Sequence, residues 1–266
     1  IYTLSLHDAL PISIHGARIK QAARRGAQLI VVDPRRIELA EHATCHLAVQ
    51  PGTNVALLNG MAHTILTEGL CDREFLDGRV SGLDEFRRFI EAWVPDRVAS
   101  ICGIDARAIR LAARLYATGS PAISFHGLGL TEHVTGTDGV RALINLALLT
   151  GNLGKPGGGV NPLRGQNNVQ GAAHMGCDPR ALAGSTPVDQ ERDAFEQRWG
   201  VPVPRTRGLH MLEMMDAAAA GRLKGLWAIG YDVFLTNPNA SETARALRSL
   251  EDRKSTRLNS SHLFIS

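Results

Sequence analysis

The chain has 266 residues, a formal net charge of +3 at pH 7 and 5% aromatic residues. Because the charge is small, the basic residues are scattered and aromatic side chains are scarce, we expect no nucleic-acid partner. No apolar run approaches the roughly 20 residues that a membrane span requires, so no span is expected in this chain.

Both ends of the chain are expected to be foreign to the protein. Residues 2–12 and 252–262 match the translation of a common sequencing-library adapter. We therefore assign residues 1–12 and 252–266 to adapter sequence and leave them out of the fold prediction, as is done for an expression scar. The remainder is expected to be an internal fragment of a longer protein, whose true start and any signal peptide are unseen.

The pattern of residues 13–166 predicts an α/β domain of the dinucleotide-binding kind. Asn54 and Asp105 are predicted to cap helices. Strands that alternate with helices are typical of a doubly wound, mainly parallel, Rossmann-like sheet. The predicted elements are helices over 15–27, 55–68, 83–93, 105–117 and 138–150, strands over 28–32, 46–49 and 122–125, and one or two helical turns over 38–42.

Residues 167–251 are predicted to begin a second, partial α/β domain. Its polar stretch over 189–207 has little periodicity and is expected to cross the surface without regular structure. Order is predicted to return with a helix over 211–220, a strand over 226–229 and a helix over 242–250.

The segment most indicative of function is the glycine-rich one over 150–176, which contains a single arginine, Arg164. Glycine at this density costs chain entropy without adding apolar burial. Such a segment is kept where backbone runs close to a ligand rich in phosphate or ring edges. Since the segment follows a buried helix, Arg164 and Gln166 are expected near the middle of the domain.

Four further segments follow predicted strands, where open parallel sheets bind ligands. They are residues 33–35, 51–54, 127–132 and 230–236. Asp33 can accept two hydrogen bonds from one edge of a purine or from a ribose, although a turn or helix-cap role explains it equally well. Residues 51–54 would present backbone amides to a phosphate, but the pattern is also a common helix start. The glycine fingerprints of nicotinamide and triphosphate sites are missing.

Histidine and cysteine give weaker signals. His42 and His46 have a spacing that can hold a metal on a helix, but no third ligand is evident, so ordinary surface or core histidines are favoured. The cysteines are far apart without a C-x-x-C, which predicts buried thiols and no metal ligand in this chain. The cysteines are Cys45, Cys71, Cys102 and Cys177, and the histidines that could touch a ligand are His126, His133 and His174.

Five motifs between residues 14 and 251 are specific enough to compare with a known family. They are IVVDPR (30–35), PGTNVALLNGM (51–61), GLGLTEH (127–133), LLTGNLGKPGGGVNPLRGQNNVQGA (148–172) and AIGYDVFLTNPNA (228–240). With these motifs the chain resembles the catalytic (alpha) subunit of molybdenum- or tungsten-dependent formate dehydrogenases, in the molybdopterin oxidoreductase (DMSO reductase) superfamily. The resemblance covers residues 14–251, and its longest motif is the glycine-rich one.

The resemblance implies two molybdopterin guanine dinucleotides around one Mo or W. Arg164 matches the arginine that lies over the metal and orients formate. One guanosine diphosphate would be held by Asp33, Pro34, Arg35, Pro51, Gly52 and Asn54. The cofactor would be lined by Gly127, Leu128, Glu132, Gly165, Gln166 and Asn167. The other guanosine would be held by Gly230, Asp232 and Thr236.

The resemblance further implies oxidation of formate to CO2, with two electrons passed to an iron–sulfur relay and an iron–sulfur subunit as partner. The cysteine or selenocysteine that ligates the metal, and the iron–sulfur cluster of an N-terminal domain, are absent from this sequence. Alternatives are a nitrate reductase or another molybdopterin oxidoreductase, and a redox-inactive structural subunit of an electron-transfer complex. A cytoplasmic location is favoured, with the periplasm left open.

Overall fold

The structure is a computed structural model that describes residues 2–3, 10–163, 168–190 and 192–256. It divides into two compact units, Ile1–Asn167 and Asn168–Ser266. Within the described ranges, no helix has both the length and the apolar character needed to cross a membrane.

The first unit contains five strands and eight helices within the described residues. The strands are β1 (Tyr2–Thr3), β2 (Ile30–Val32), β3 (Cys45–Leu47), β4 (Ile123–His126) and β5 (Gly159–Pro162). The helices are α1 (Leu10–Arg24), α2 (Asn54–Thr67), α3 (Arg73–Arg79), α4 (Leu83–Ile90), α5 (Pro95–Cys102), α6 (Ala106–Thr118), α7 (Leu128–Thr131) and α8 (Gly136–Leu149), with a 3-10 helix over Glu38–His42.

These strands form one parallel sheet in the order β3-β2-β1-β4-β5. The predicted doubly wound, parallel α/β fold is therefore confirmed. The strand order reverses on either side of β1, which is where such sheets bind ligands. The position between β2 and β4 is taken by residues 2–3, which were left out of the prediction. Because strands pair through backbone groups, that position accepts an extended segment of any sequence.

The sheet is covered on both faces, as its buried strands require. Ile30 and Val32 of β2 pack with Cys45 and Leu47 of β3 into the larger core, which is built mainly from α2, α5, α6 and α8. Val31 faces the opposite way, into a smaller cluster with Leu39 and residues of α1. Alternation along one short strand thus holds two helical layers together.

Within the first unit, the sequence analysis missed three short helices and strand β5. Helices α3, α5 and α7 have too few turns to show a clear apolar period. Asp72 caps α3 by accepting a hydrogen bond from the Phe75 amide over 3.0 Å. Strand β5 lies inside the glycine-rich segment, where its sequence gives no strand signal. It is defined by its pairing with β4, in which Ile123 lies opposite Gly159.

The second unit is smaller than the first. Its elements are α9 (Val169–His174), β6 (Ala181–Leu182), a 3-10 helix over Ala183–Ser185, β7 (Thr186–Pro187), α10 (Arg192–Trp199), α11 (Met211–Ala219), β8 (Gly225–Ile229), α12 (Val233–Thr236), α13 (Ala240–Arg248) and β9 (Asp252–Thr256).

The core of the second unit joins α11, α13 and β8. Strand β8 pairs in parallel with β9, which consists of residues 252–256. The expectation of no regular structure over 189–207 is wrong, because α10 lies there. The apolar period of α10 is weak because the helix has no buried residue.

The packing of α7 against α8 depends on a glycine. A Cβ atom on Gly136 would overlap the Thr131 carbonyl oxygen and lie 2.8 Å from its carbonyl carbon. The Gly136 amide also donates to the His133 carbonyl over 2.8 Å. Since the obstacle is backbone, a side chain here must push the two elements apart.

We expect Gly136→Ala to destabilise the protein by about 1–3 kcal/mol, the usual cost of overpacking. The matched control is Gly78→Ala in α3, where an added Cβ meets nothing within 4 Å. Alanine is favoured over glycine in a helix, so the control is expected to be neutral or stabilising by up to about 1 kcal/mol. Urea denaturation midpoints compare the two, and equal midpoints would contradict the predicted close packing.

Candidate functional site

A cleft lies at the carboxyl ends of β2 and β3 in the first unit, with a volume of about 140 Å³. It brings together three of the four segments that follow predicted strands. Val32 and Val49, which the sequence analysis had treated only as strand residues, also line it although both are buried. The lining residues are Val32, Asp33, Pro34, Arg35, Val49, Pro51, Gly52, Asn54, Gly129 and His133.

Asp33 is the acidic group of this cleft and is only 5% exposed. Its Oδ1 accepts a hydrogen bond from the Arg35 amide over 2.8 Å, and the Arg35 Nε lies 3.8 Å from the same oxygen. The Asp33 side chain therefore stabilises the turn that follows β2. A carboxylate has about four acceptor sites, so one turn hydrogen bond leaves capacity for a ligand.

The second wall is the turn that leads into α2. Gly52 has φ +87°, a left-handed conformation that residues with a side chain rarely adopt. Asn54 is the first residue of α2, and the first amides of a helix have no partner within the helix. This wall thus has the backbone arrangement from which helix starts bind phosphate.

The prediction that Asn54 caps α2 is wrong. The capping position is Thr53, whose side chain makes no capping hydrogen bond. Asn54 Nδ2 instead donates to the Gly129 carbonyl over 3.0 Å. The Asn54 side chain thus bonds to a residue 75 positions further along the chain, and a sequence analysis of local helix caps cannot detect such a partner. It links the start of α2 to the segment over 127–133.

That segment forms the third wall, through Gly129 and His133. The Nε2 atom of His133 lies 3.1 Å from the Gly129 carbonyl oxygen, so this oxygen has two side-chain partners. Gly127 is buried just before α7, whereas Leu128 and Glu132 are exposed. These three predicted residues belong to the segment but do not line the cleft.

In the second unit, the predicted residues lie together in the turn after β8. Gly230 has φ +64°. Asp232 caps α12, and its Oδ1 accepts hydrogen bonds from the Phe234 and Leu235 amides, both over 3.1 Å. The Thr236 hydroxyl donates to the Asp232 carbonyl. The turn is thus compact and well hydrogen-bonded, with Gly230 and Thr236 exposed.

Four predicted residues, Arg164, Gly165, Gln166 and Asn167, lie outside the described residues. The described chain before them ends beside β4, where the Leu163 amide donates to the His126 carbonyl over 2.7 Å. Pro162 and Leu163 are therefore at the carboxyl edge of the sheet, the edge that also carries the cleft.

No group of three or more potential metal-ligating side chains occurs in the part of the chain that the structure describes. Cys45 and Cys102 are buried, and burial raises the pKa of both thiols. Cys71 is half-buried, and Cys177 is exposed, which corrects the expectation of four buried thiols. Cys177 follows α9, a helix with no buried residue.

Comparison with known proteins places these features in a family. The profile described as molybdopterin oxidoreductase matches residues 8–253. Formate dehydrogenase H of Escherichia coli is 42% identical, over 92% of this chain and 34% of its own length. The F420-dependent formate dehydrogenase subunit alpha of Methanocaldococcus jannaschii is 39% identical, over 88% and 35% respectively.

More distant matches include enzymes with other names. A nitrate reductase of Synechocystis sp. is 31% identical over 91% of this chain and 34% of its own length. Among solved structures, acetylene hydratase from Pelobacter acetylenicus superimposes with a TM-score of 0.68 at 21% identity, covering 91% of this chain and 36% of that one. The latter supports the fold alone. The chain spans about a third of the length of the curated relatives it matches.

Removing the side-chain amide of Asn54 is expected to loosen α7. In Asn54→Ala, the hydrogen bond to the Gly129 carbonyl is lost, so the α7 amides of Leu130 and Thr131 should exchange with solvent about three- to tenfold faster, the effect of one hydrogen bond. The control is Thr53→Ala, because the Thr53 hydroxyl donates to the Gln50 carbonyl, which lies outside α7. Hydrogen exchange measures both, and unchanged exchange in Asn54→Ala would show that this link does not hold α7.

Proposed function

Because the chain belongs to the molybdopterin oxidoreductase family, we propose that the complete protein is a formate dehydrogenase that oxidises formate to CO2. It holds molybdenum or tungsten between two molybdopterin guanine dinucleotides, and it passes two electrons to an iron–sulfur relay. The formate dehydrogenases at 42% and 39% identity support formate over other substrates.

The observation that carries the proposal is the pairing of a buried carboxylate with a helix start in one cleft. Asp33 offers acceptors to the edge of a guanine, and Pro51, Gly52 and Asn54 offer a phosphate site at the start of α2. The volume of about 140 Å³ is below the roughly 300–1,000 Å³ of sites that enclose a whole drug-sized ligand. It therefore suits one nucleotide portion of a larger cofactor.

The bound cofactor supplies the two-electron redox chemistry, whereas the protein binds and orients. Arg164 holds the formate carboxylate through its planar guanidinium, whose permanent charge suits positioning and excludes a role as base. Gly230, Asp232 and Thr236 hold the second guanosine. The rest of the cofactor is lined by Gly127, Leu128, Glu132, Gly165, Gln166 and Asn167.

Two other functions remain as alternatives. The nitrate reductase match at 31% identity supports a second molybdopterin oxidoreductase activity with another substrate. A redox-inactive subunit of an electron-transfer complex would have little need for Arg164 in a glycine-rich segment. Formate-dependent reduction of an artificial dye by the complete protein separates the three functions, because only a formate dehydrogenase is expected to catalyse it. Nitrate-dependent oxidation of a reduced dye would support the second.

Asp33→Ala is expected to lower the guanine nucleotide retained by the purified complete protein about tenfold or more, since each hydrogen bond to a charged group contributes about 1.5–3 kcal/mol. Asp77→Ala is the control, because Asp77 is exposed on α3, away from the cleft. Acid extraction and chromatography quantify the nucleotide. Equal retention in both variants would remove Asp33 from the site.

Arg164→Lys is expected to raise the Michaelis constant for formate and to lower turnover, together by about 100-fold in kcat/KM. Lysine keeps the charge but loses the bidentate geometry, and a misplaced substrate costs about that much. The control is Arg141→Lys, whose side chain is 73% exposed on α8. Steady-state kinetics with formate give both constants, and unchanged values would exclude Arg164 from substrate binding.

A further inference from the structure

We infer that His46 is a positioning residue of the nucleotide site, and that its imidazole fixes the Asp33 turn. This inference rests on the proposed function, because it deepens the role of the same cleft. In the sequence, His46 has a metal-binding spacing with His42 and no other signal of function. The described part of the chain holds no metal-ligating group that includes it.

Strand β3 holds Asp33 at both of its backbone polar groups. The Asp33 amide donates to the Leu47 carbonyl over 3.3 Å. The Asp33 carbonyl oxygen lies 3.0 Å from His46 Nε2. Together with the Oδ1 contact to the Arg35 amide at 2.8 Å, these bonds fix the residue on three sides. The direction of the carboxylate therefore depends on the register of β3.

That register is set by burial. Cys45 and Leu47 of β3 are buried in the larger core, and His46 between them is half-buried on the opposite face, directly across from Val31. A slip of one residue would put the imidazole into the core and an apolar side chain at its place. The position of His46 beside the Asp33 carbonyl is thus built into the sheet.

Pro34 ends the ladder of β2 directly after Asp33, because it has no amide hydrogen and restricts the conformation of the residue before it. The Asp33 carbonyl, the last of this ladder, has a side-chain partner, the His46 imidazole, at 3.0 Å. A carbonyl oxygen only accepts, so the His46 Nε2 must carry the proton. The imidazole then holds the peptide plane between Asp33 and Pro34, and with it the turn that lines the cleft.

A pair of substitutions separates this positioning role from simple packing. His46→Gln places an amide donor close to where Nε2 lies, whereas His46→Asn places it close to the Nδ1 position. The probe is guanosine diphosphate, titrated calorimetrically into the cofactor-free complete protein. We expect His46→Gln to bind within about twofold of the wild type, and His46→Asn to bind about three- to tenfold more weakly, as for the loss of one hydrogen bond.

The same two His46 variants in an Asp33→Ala background test whether His46 affects guanosine diphosphate affinity through Asp33. If His46 acts through Asp33, the difference between Gln and Asn disappears there. Equal affinities of the two variants, or a difference that persists without the carboxylate, would overturn the role of His46 while leaving the nucleotide site intact. Absence of guanosine diphosphate binding by the wild type would instead overturn the proposed site itself.

A measurement on the unaltered protein covers the case in which a variant does not fold. The 15N chemical shifts of the His46 ring report which nitrogen carries the proton. We expect the Nε2–H form, in the presence and absence of guanosine diphosphate. A ring protonated only at Nδ1 could not donate to the Asp33 carbonyl and would overturn the inference.

Discussion

The backbone of Asp33 is held by the neighbouring edge strand, and the rest of the cleft is arranged around it. Asp33 follows a strand that is buried on both faces, so its carboxylate emerges at the edge of the sheet within a largely covered environment. A buried carboxylate is tolerated only when it is hydrogen-bonded. The Arg35 amide satisfies part of that requirement, and the remaining acceptor capacity is what a ligand would use.

The opposite wall depends on a second constraint, the close approach of α7 and α8 at Gly136. The same short segment is linked to α2 through the bond between Asn54 and the Gly129 carbonyl. Two independent contacts thus fix a wall that is only one helical turn long. A site held by packed elements rather than by free loops needs little rearrangement to accept its ligand.

The sheet and three walls of the cleft were predictable because parallel topology decides where strand ends meet. Once strands over 28–32 and 122–125 were recognised, residues 33–35 and 127–132 had to lie at one edge. The role of Asn54 was not predictable, because a local cap and a distant carbonyl compete for the same amide. The role of His46 depends on the register of an edge strand, and β5 depends on its pairing partner rather than on its own sequence.

The most direct test of the nucleotide site is hydrogen exchange of the complete protein with and without guanosine diphosphate. We expect the nucleotide to slow exchange of the amides over 33–35, 52–54 and 127–131, since these segments form the walls of the cleft. Protection of none of them, with the nucleotide bound elsewhere or not at all, would contradict the assignment of this cleft to the cofactor.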